Sequence, residues 1–306
     1  MTLAMKHVDE AAGRAHVPVM VAEVCDLLDA HGPLAFVDVT VGMGGHAEAL
    51  LRRTKARLLG IDRDASALEA ARARLAEFGD RAMLRHGNFG SIGQIMRDAG
   101  FPAADGILAD LGMSSFALDD PERGMSFRQD GPLDMRFDRS ETLSAYDLVN
   151  EEEEAELARI IYAYGEERAS RRIARMILEA RRRRRIETTG ELRALVERAL
   201  GPKRRGGLHP ATRTFQALRI AVNHEMDSLA DFLRDAPKML MPHGRLAVIS
   251  YHSLEDRPVK QRFRDLAGGG DFTRLSTKVL RPSAREIAIN SRARSAKLRC
   301  IERNAS

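Results

Sequence analysis

The chain has 306 residues, of which 44% are hydrophobic and 30% charged, a composition ordinary for a globular protein that buries its own core without disulfide staples. Its two cysteines, Cys25 and Cys300, suggest a reducing compartment; no apolar run is long enough to span a bilayer and no secretory signal is recognisable, so we expect a cytoplasmic protein. Residues 168–205 carry fourteen Arg or Lys against four Glu, a local surplus of +10 within an overall charge of +5, which favours a polyanion partner or a solvated helix face.

The first third of the chain alternates strand and helix patterns. Helices are predicted at 19–28, 47–53, 65–77 and 92–99, and strands at 34–39, 57–61, 83–85 and 106–109. Strands that alternate with helices in this way indicate a parallel, doubly wound sheet of the α/β class.

The alternation stops near residue 118. Helical patterns follow at 152–163, 170–182 and 191–200, the last with a capping box formed by Thr188 and Glu191, and one long helix is predicted at 214–233. Strand patterns return at 245–250, 272–279 and 296–302. We therefore expect an α/β domain built from residues 1–118 and 218–306, interrupted by an all-helical insertion at 119–217.

A glycine loop joins the first strand to its helix. In Gly42-x-Gly44-x-x-Ala47 the glycines allow a tight turn and a close approach to a ligand, and the helix start offers free amides. Asp62 ends the next strand, twenty residues after Gly42, where a carboxylate can accept both hydroxyls of a ribose. Phe89 follows the third strand and could cover an adenine. This combination suits a nicotinamide dehydrogenase as well as a methyltransferase.

Further polar groups follow the later strands. Asp110 ends the fourth strand and is predicted to face the same crevice, since ligands of open α/β sheets bind beyond the carboxyl ends of the strands. Its carboxylate could hold the charged amino-acid end of a cofactor or serve an incoming amine. His252 and Ser253 follow the fifth strand and are the best-placed hydrogen-bonding pair for a substrate base. The segment 209–216 suits phosphate contacts or a helix cap. No CxxC, HExxH or Walker pattern supports a metal or nucleoside triphosphate site, and neither cysteine is placed to attack a pyrimidine ring.

Taken together, these strings resemble the bacterial ribosomal RNA small subunit methyltransferase H family, also called the MraW family. The matching segments span residues 16–295: His16-x-Pro18-Val19, Gly42 to His46, Ile61-Asp62-Arg63-Asp64, Asp110-Leu111-Gly112 with Ser114-Ser115, Asp119 to Gly124, Gly131 to Arg136, Tyr164 to Arg168, His209 to Gln216, His252 to Arg257, and Arg292-x-Arg294-Ser295.

The resemblance implies a Rossmann-like domain that binds S-adenosylmethionine and methylates the exocyclic N4 of a cytosine in the decoding region of 16S rRNA. Gly44, Gly45 and His46 would lie along the methionine and ribose of the cofactor, and the other contacts would come from Asp62 on the ribose, Phe89 beside the adenine, and Asp110. The family usually has a glutamine seven residues after the Asp110 position, where this chain has Ala117.

The resemblance also implies that the helical insertion recognises RNA, so that 16S rRNA or the small ribosomal subunit is the expected partner; the oligomeric state stays open, a dimer included. Candidate acceptors of the amino proton are Asp110, Ser114 and, from the insertion, Asp134. An extruded base could be packed by Phe116, Phe127 or Tyr251. Two other functions remain as alternatives: a non-catalytic RNA-binding ribosome assembly factor, and an NAD-dependent oxidoreductase that uses the same glycine loop.

Overall fold

The computed structural model describes residues 18–29, 34–113, 118–201, 208–276 and 278–305. Its central feature is a seven-stranded sheet with the strand order β3-β2-β1-β4-β5-β7-β6. The strands are β1 (Ala35–Asp38), β2 (Arg57–Asp62), β3 (Ala82–His86), β4 (Ala104–Asp110), β5 (Leu240–Ser250), β6 (Phe272–Arg274) and β7 (Lys297–Arg303). All seven predicted strands are therefore present, and the predicted α/β fold with a Rossmann-like sheet is confirmed.

The first five strands are parallel, but β7 runs antiparallel to both β5 and β6. The prediction of a parallel sheet is thus wrong for β7, whereas β6 runs in the same direction as β1–β5. A parallel return needs a crossover of a dozen or more residues that packs on the sheet, usually a helix. Between β6 and β7 the described residues hold only one α-helix, of six residues. The predicted strand at 272–279 is also too long, because only Phe272–Arg274 pair with β7.

Helices flank the sheet and fill the long segment between β4 and β5. They are α1 (Val21–Leu28), α2 (Gly45–Arg53), α3 (Ala65–Leu75), α4 (Ile92–Asp98), α5 (Ala145–Glu151), α6 (Glu154–Gly165), α7 (Ser170–Arg181), α8 (Thr189–Leu200), α9 (Ala211–Val222), α10 (Glu225–Asp235), α11 (Ser253–Gly268) and α12 (Ala284–Ile289). The predicted capping box before α8 is confirmed, since Thr188 and Glu191 cap each other's backbone amides. No helix in the described ranges is long and apolar enough to cross a membrane.

The long helix predicted at 214–233 is instead two helices, α9 and α10. The break falls at Asn223 and His224, and His224 has a left-handed backbone with φ 49°. The buried side chain of Asn223 accepts a hydrogen bond from the amide of Phe137 and donates to the carbonyl of Met135. These bonds to a distant loop explain the break, because an asparagine side chain that pairs with backbone competes with helix continuation.

Helices α5 to α9 share a hydrophobic core of their own, whereas the buried hydrophobic residues of α10 join a sheet cluster. Leu157, Ile161, Ile173, Ile177 and Leu192 are fully buried in the core that the five helices share. Two other clusters lie on the two faces of the sheet. Helix α9 crosses the expected boundary at residue 217, and the division into an insertion and a sheet domain stays a proposal.

Candidate functional site

A cavity of about 380 Å³ opens where the parallel strands end. This volume falls within the range of small-molecule sites, which α/β sheets place at the carboxyl ends of their strands. Part of its wall comes from the glycine loop and the strand ends, with Gly42, Gly45, His46, Asp62, Phe89 and Asp110. Residues from the second half of the chain complete the wall, among them Arg219, Glu225, Tyr251, His252, Glu255, Asn290 and Arg292.

The glycine loop turns sharply into α2. Gly42 and Gly44 both have left-handed backbones, with φ 53° and 81°, which glycine adopts without the strain that a side chain brings. Gly45 begins α2 and lines the cavity, whereas Gly44 does not and lies against α3, where an added Cβ would come 3.3 Å from Leu75. Of the two predicted glycines, only Gly45 therefore faces the ligand space.

Asp62 stabilises this loop from the end of β2. Its Oδ2 accepts a hydrogen bond from the amide of Gly42 at 2.8 Å, and its Oδ1 accepts from the amide of Asp64 at 2.9 Å. Each carboxylate oxygen has a second lone pair, so the side chain can still accept two ribose hydroxyls. Burial raises the pKa of Asp62 above its ordinary value, and the two amide bonds work in the opposite direction.

His46 is neutral and its tautomer follows from its contacts. Its Nε2 lies 2.8 Å from the carbonyl oxygen of Val19, which can only accept, so the proton is on Nε2. Burial lowers the pKa of the imidazole. The unprotonated Nδ1 lies 3.8 Å from Oδ2 of Asp110.

Asp110 ends β4 and is held from two sides. Its amide donates to the hydroxyl of Thr40 at 2.7 Å, and its Oδ1 accepts a 2.7 Å hydrogen bond from the hydroxyl of Tyr251. One fifth of the Asp110 side chain remains exposed. Burial raises the pKa of this carboxyl to about 7, the bond from Tyr251 lowers it, and the charge of Glu255 raises it.

Asp38 adds a third carboxyl group beside Asp62 and Asp110. It ends β1, is 1% exposed, and has a pKa raised to about 8 by burial and by the charges of Asp110 and Asp62. Crowded, desolvated carboxylates repel each other, and a cation bound beside them would relieve that repulsion. The charge of this site therefore suits a cationic ligand such as a sulfonium.

The opposite wall contains an arginine–glutamate ion pair and a histidine–glutamate pair, and sequence patterns single out only His252 among these four residues. Arg219 on α9 makes a bidentate pair with Glu225 at the start of α10, with distances of 2.7 and 2.9 Å. Buried Glu255 lies 2.9 Å from Nε2 of His252. Burial opposes the charge of Glu255, but His252 and Arg219 more than offset it and lower the pKa. Sequence patterns single out the segment around His252. They do not single out Arg219, which the sequence shows only as a cation on a predicted helix.

Some predicted catalytic residues lie away from the cavity wall. Asp134 forms a salt bridge with Arg136, with Oδ1 2.8 Å from Nε. Ser253 is exposed, and its hydroxyl donates to Glu166 at 3.0 Å. Ser114, together with Phe116 and Ala117, lies outside the described residues. Phe127 stacks on His209, with ring centroids 4.6 Å apart. Of the predicted catalytic set, the structure thus brings Asp110 and His252 together at the cavity.

Comparison with known proteins identifies the family of this chain. The sequence profile of the MraW methylase family matches residues 13–304. The chain belongs to the MraW methylase family. Among its relatives, Ribosomal RNA small subunit methyltransferase H of Sorangium cellulosum is 50% identical over 95% of this chain and 91% of the relative. The protein of the same name in Symbiobacterium thermophilum is 46% identical over 94% and 96%.

Solved structures show weaker likeness. An rRNA methylase from Streptococcus thermophilus is 12% identical, with a TM-score of 0.44 over 95% of this chain and 100% of the other. The N-methyltransferase NodS of Bradyrhizobium japonicum is 10% identical, with a TM-score of 0.42 over 93% and 94%. The assignment to the MraW methylase family rests on the sequence matches.

Membership of the MraW methylase family confirms the predicted cofactor, S-adenosylmethionine. The cavity fits this group on its own evidence. Asp62 and Phe89 line it with a hydroxyl acceptor and an aromatic surface, Gly42 leaves room for close approach, and the carboxyl groups suit a positive sulfur. Membership of a methylase family therefore selects a methyl donor rather than a dinucleotide as the cofactor.

Proposed function

We propose that this protein methylates the exocyclic N4 of a cytosine in the decoding region of 16S rRNA, in free rRNA or in the small ribosomal subunit. The observation that carries the proposal is the relative named Ribosomal RNA small subunit methyltransferase H, half identical over nearly the whole chain. We assign Gly44, Gly45 and His46 to the donor's methionine and ribose, the first as the turn that shapes the loop. Asp62 would bind the ribose hydroxyls and Phe89 the adenine.

The cysteines favour an amino nitrogen over a ring carbon as the methyl acceptor. Methylation at C5 of a pyrimidine requires a thiolate that attacks the ring. Cys25 on α1 and Cys300 on β7 are buried in the core, and neither lines the cavity. Burial raises the pKa of Cys25 to about 11 and that of Cys300 to about 12, so both stay protonated near neutral pH.

Asp110 is the best-placed proton acceptor for such a reaction. S-adenosylmethionine supplies a methyl group on a positively charged sulfur. The N4 lone pair forms a bond to the methyl carbon, the carbon–sulfur bond breaks with its electrons going to sulfur, and one amino proton passes to Asp110. A pKa of about 7 suits a group that accepts a proton near neutral pH and then releases it. Holding donor and base in line supplies much of the remaining rate.

An exposed arginine surface on the helical segment supports an RNA partner. Arg168, Arg171, Arg172, Arg182 and Arg183 are exposed, and in the described part of the chain none of them forms an ion pair. Arg181 differs, because it donates to the carbonyls of Val149 and Glu152 and so holds α7 in place. Unpaired arginines on one segment suit RNA phosphates, and we propose that the insertion at 119–217 recognises the RNA.

The test is methyl transfer from labelled S-adenosylmethionine to small subunits, and separately to free 16S rRNA, from a strain that lacks the endogenous enzyme. Nuclease digestion and mass spectrometry should yield N4-methylcytidine, mapped to one cytosine. Asp110→Asn should bind the cofactor but transfer methyl about 10²- to 10⁴-fold more slowly. RNA binding without incorporation by the wild-type protein would favour an assembly factor, and label recovered as 5-methylcytidine would refute the amino acceptor.

A further inference from the structure

The strongest unassigned feature of the cavity is the hydrogen bond between Tyr251 and Asp110. Tyr251 follows β5 and Asp110 ends β4, and these strands are parallel neighbours. The phenol hydroxyl donates to Oδ1 of Asp110 at 2.7 Å, and both side chains line the cavity. The ring of Tyr251 also packs near the backbone of Gly112, where an added Cβ would come within 3.2 Å of it.

We propose that Tyr251 is a positioning residue for methyl transfer: its hydroxyl occupies Oδ1 of Asp110 and so turns Oδ2 toward the amino group of the acceptor base. This inference rests on the proposed function. It gives the hydroxyl of Tyr251 a role of its own, and the packing of its ring on the base stays a prediction.

The surroundings of Oδ2 support separate roles for the two carboxylate oxygens of Asp110. Its neighbour on α2 is Nδ1 of His46, 3.8 Å away, which carries no proton because Nε2 donates to Val19. Within the described ranges no residue donates a hydrogen bond to Oδ2. The Asp110 side chain is one fifth exposed and lines the cavity, so an amino group bound there can donate to Oδ2. Oδ1 is thus the structural oxygen and Oδ2 the oxygen left for the substrate.

Among the described residues, four titratable groups act on Asp110 or lie beside it. They are Tyr251 after β5, Glu255 on α11, Asp38 on β1 and His46 on α2. His46 is neutral, the charge of Glu255 disfavours a charged Asp110, and Asp38 responds in turn to the charge of Asp110, which raises its pKa. Tyr251 is the member of this group that donates to the carboxylate and lowers its pKa. Loss of the hydroxyl should therefore raise the pKa of Asp110 further.

Tyr251→Phe is the decisive variant, because it deletes the hydroxyl and keeps the ring. We expect kcat to fall about ten- to hundredfold, the range of one hydrogen bond to a charged group, while the Kd for S-adenosylmethionine measured by calorimetry stays unchanged. The acid limb of the kcat–pH profile should move to higher pH, because Asp110 must be ionised to accept the proton. In cofactor-free protein labelled with ¹³C at aspartate, the Asp110 carboxyl should titrate at higher pH than in the wild type.

A double-variant comparison separates positioning from an independent role. If Tyr251 acts through Asp110, the variant with Tyr251→Phe and Asp110→Asn together should be no slower than Asp110→Asn alone. Additive losses would overturn the proposal. So would normal turnover in Tyr251→Phe combined with slow turnover in Tyr251→Leu, since that result assigns the role to the ring. Failure of the wild-type protein to form N4-methylcytidine would instead refute the proposed function, and the ¹³C titration would still report on the pair.

Discussion

The buried pair of Arg219 and Glu225 in the cavity wall gives a quantitative test of the structure. The two side chains are only 10% and 13% exposed and are joined by two hydrogen bonds. Removing one partner of such a pair leaves an uncompensated buried charge, at a cost of about 3–5 kcal/mol. We therefore expect Glu225→Leu to lower the free energy of unfolding by about 3 kcal/mol, the lower end of this range, because Glu255 remains beside Arg219. Arg219→Met should cost an amount near the upper end of this range, since Glu225 then lacks its cation and Glu255 keeps only His252.

These costs translate into measurable melting temperatures. An unfolding entropy of about 2.1 cal/mol/K per residue over this chain length converts about 3–5 kcal/mol into a fall of about 5–8 °C. Differential scanning calorimetry and urea unfolding on the two single variants and the double variant would measure it. The double variant should be within about 1–2 kcal/mol of the wild type, because apolar residues of similar volume replace both charges. The pair would not be coupled in this way if each single variant lost less than about 1 kcal/mol of unfolding free energy. The same would hold if the loss in the double variant equalled the sum of the two single losses.

Three further predictions concern the glycine loop, the buried carboxyls and the arginine surface. In Gly45→Ala the new Cβ would stand 2.2 Å from Cγ of Pro18, so the Pro18–Val19 wall of the cavity must move. Calorimetry should then show weaker S-adenosylmethionine binding, whereas Gly268→Ala, whose Cβ meets open space, should bind normally. Asp38 has its folded pKa raised to about 8, so the unfolded chain releases this proton first and the group's contribution to stability falls between about pH 4 and pH 8. Asp38→Asn should therefore gain stability over the wild type as pH rises through that window in urea titrations, and a gap that does not change with pH would contradict the assignment. Replacing Arg171 and Arg172 by Gln should weaken RNA binding and lower the slope of log Kd against log salt by about one for each phosphate that the variant no longer neutralises. Arg72→Gln, on α3 and already paired with Glu69, is the matched control, and an equal effect there would argue against a dedicated surface.

The features that the sequence predicts well are those decided by near neighbours in the chain. The turn at Gly42 and Gly44 needs left-handed backbones, which restricts residue type strongly. The capping box of Thr188 and Glu191 closes over three residues. Asp62 and Asp110 follow apolar strands directly, so the strand pattern alone places them at one edge of the sheet. In each case the deciding interaction is local, and local patterns therefore suffice.

The errors arise where a distant group outcompetes a local pattern. Periodicity continues smoothly through 214–233, yet the helix breaks because Asn223 bonds to backbone groups 86 and 88 residues away. Similarly, β7 carries an ordinary strand pattern, and its antiparallel direction appears only in its pairing with β5 and β6 in the assembled sheet. Local propensity does not include such distant contacts, because the position of the partner residue is set by the assembled fold.

The same distinction between local and distant interactions explains why the sequence pointed to Asp110 but not to its hydrogen bond with Tyr251. Tyr251 lies 141 residues away in sequence, and it meets Asp110 because β4 and β5 pair in one particular register. Residue type suggests a ring that could stack on a base as readily as a hydroxyl that could hold a carboxylate. Only the position of the phenol oxygen, 2.7 Å from Oδ1, distinguishes these roles. In the proposed reaction, this hydroxyl fixes one oxygen of Asp110 and leaves the other oxygen to accept the proton.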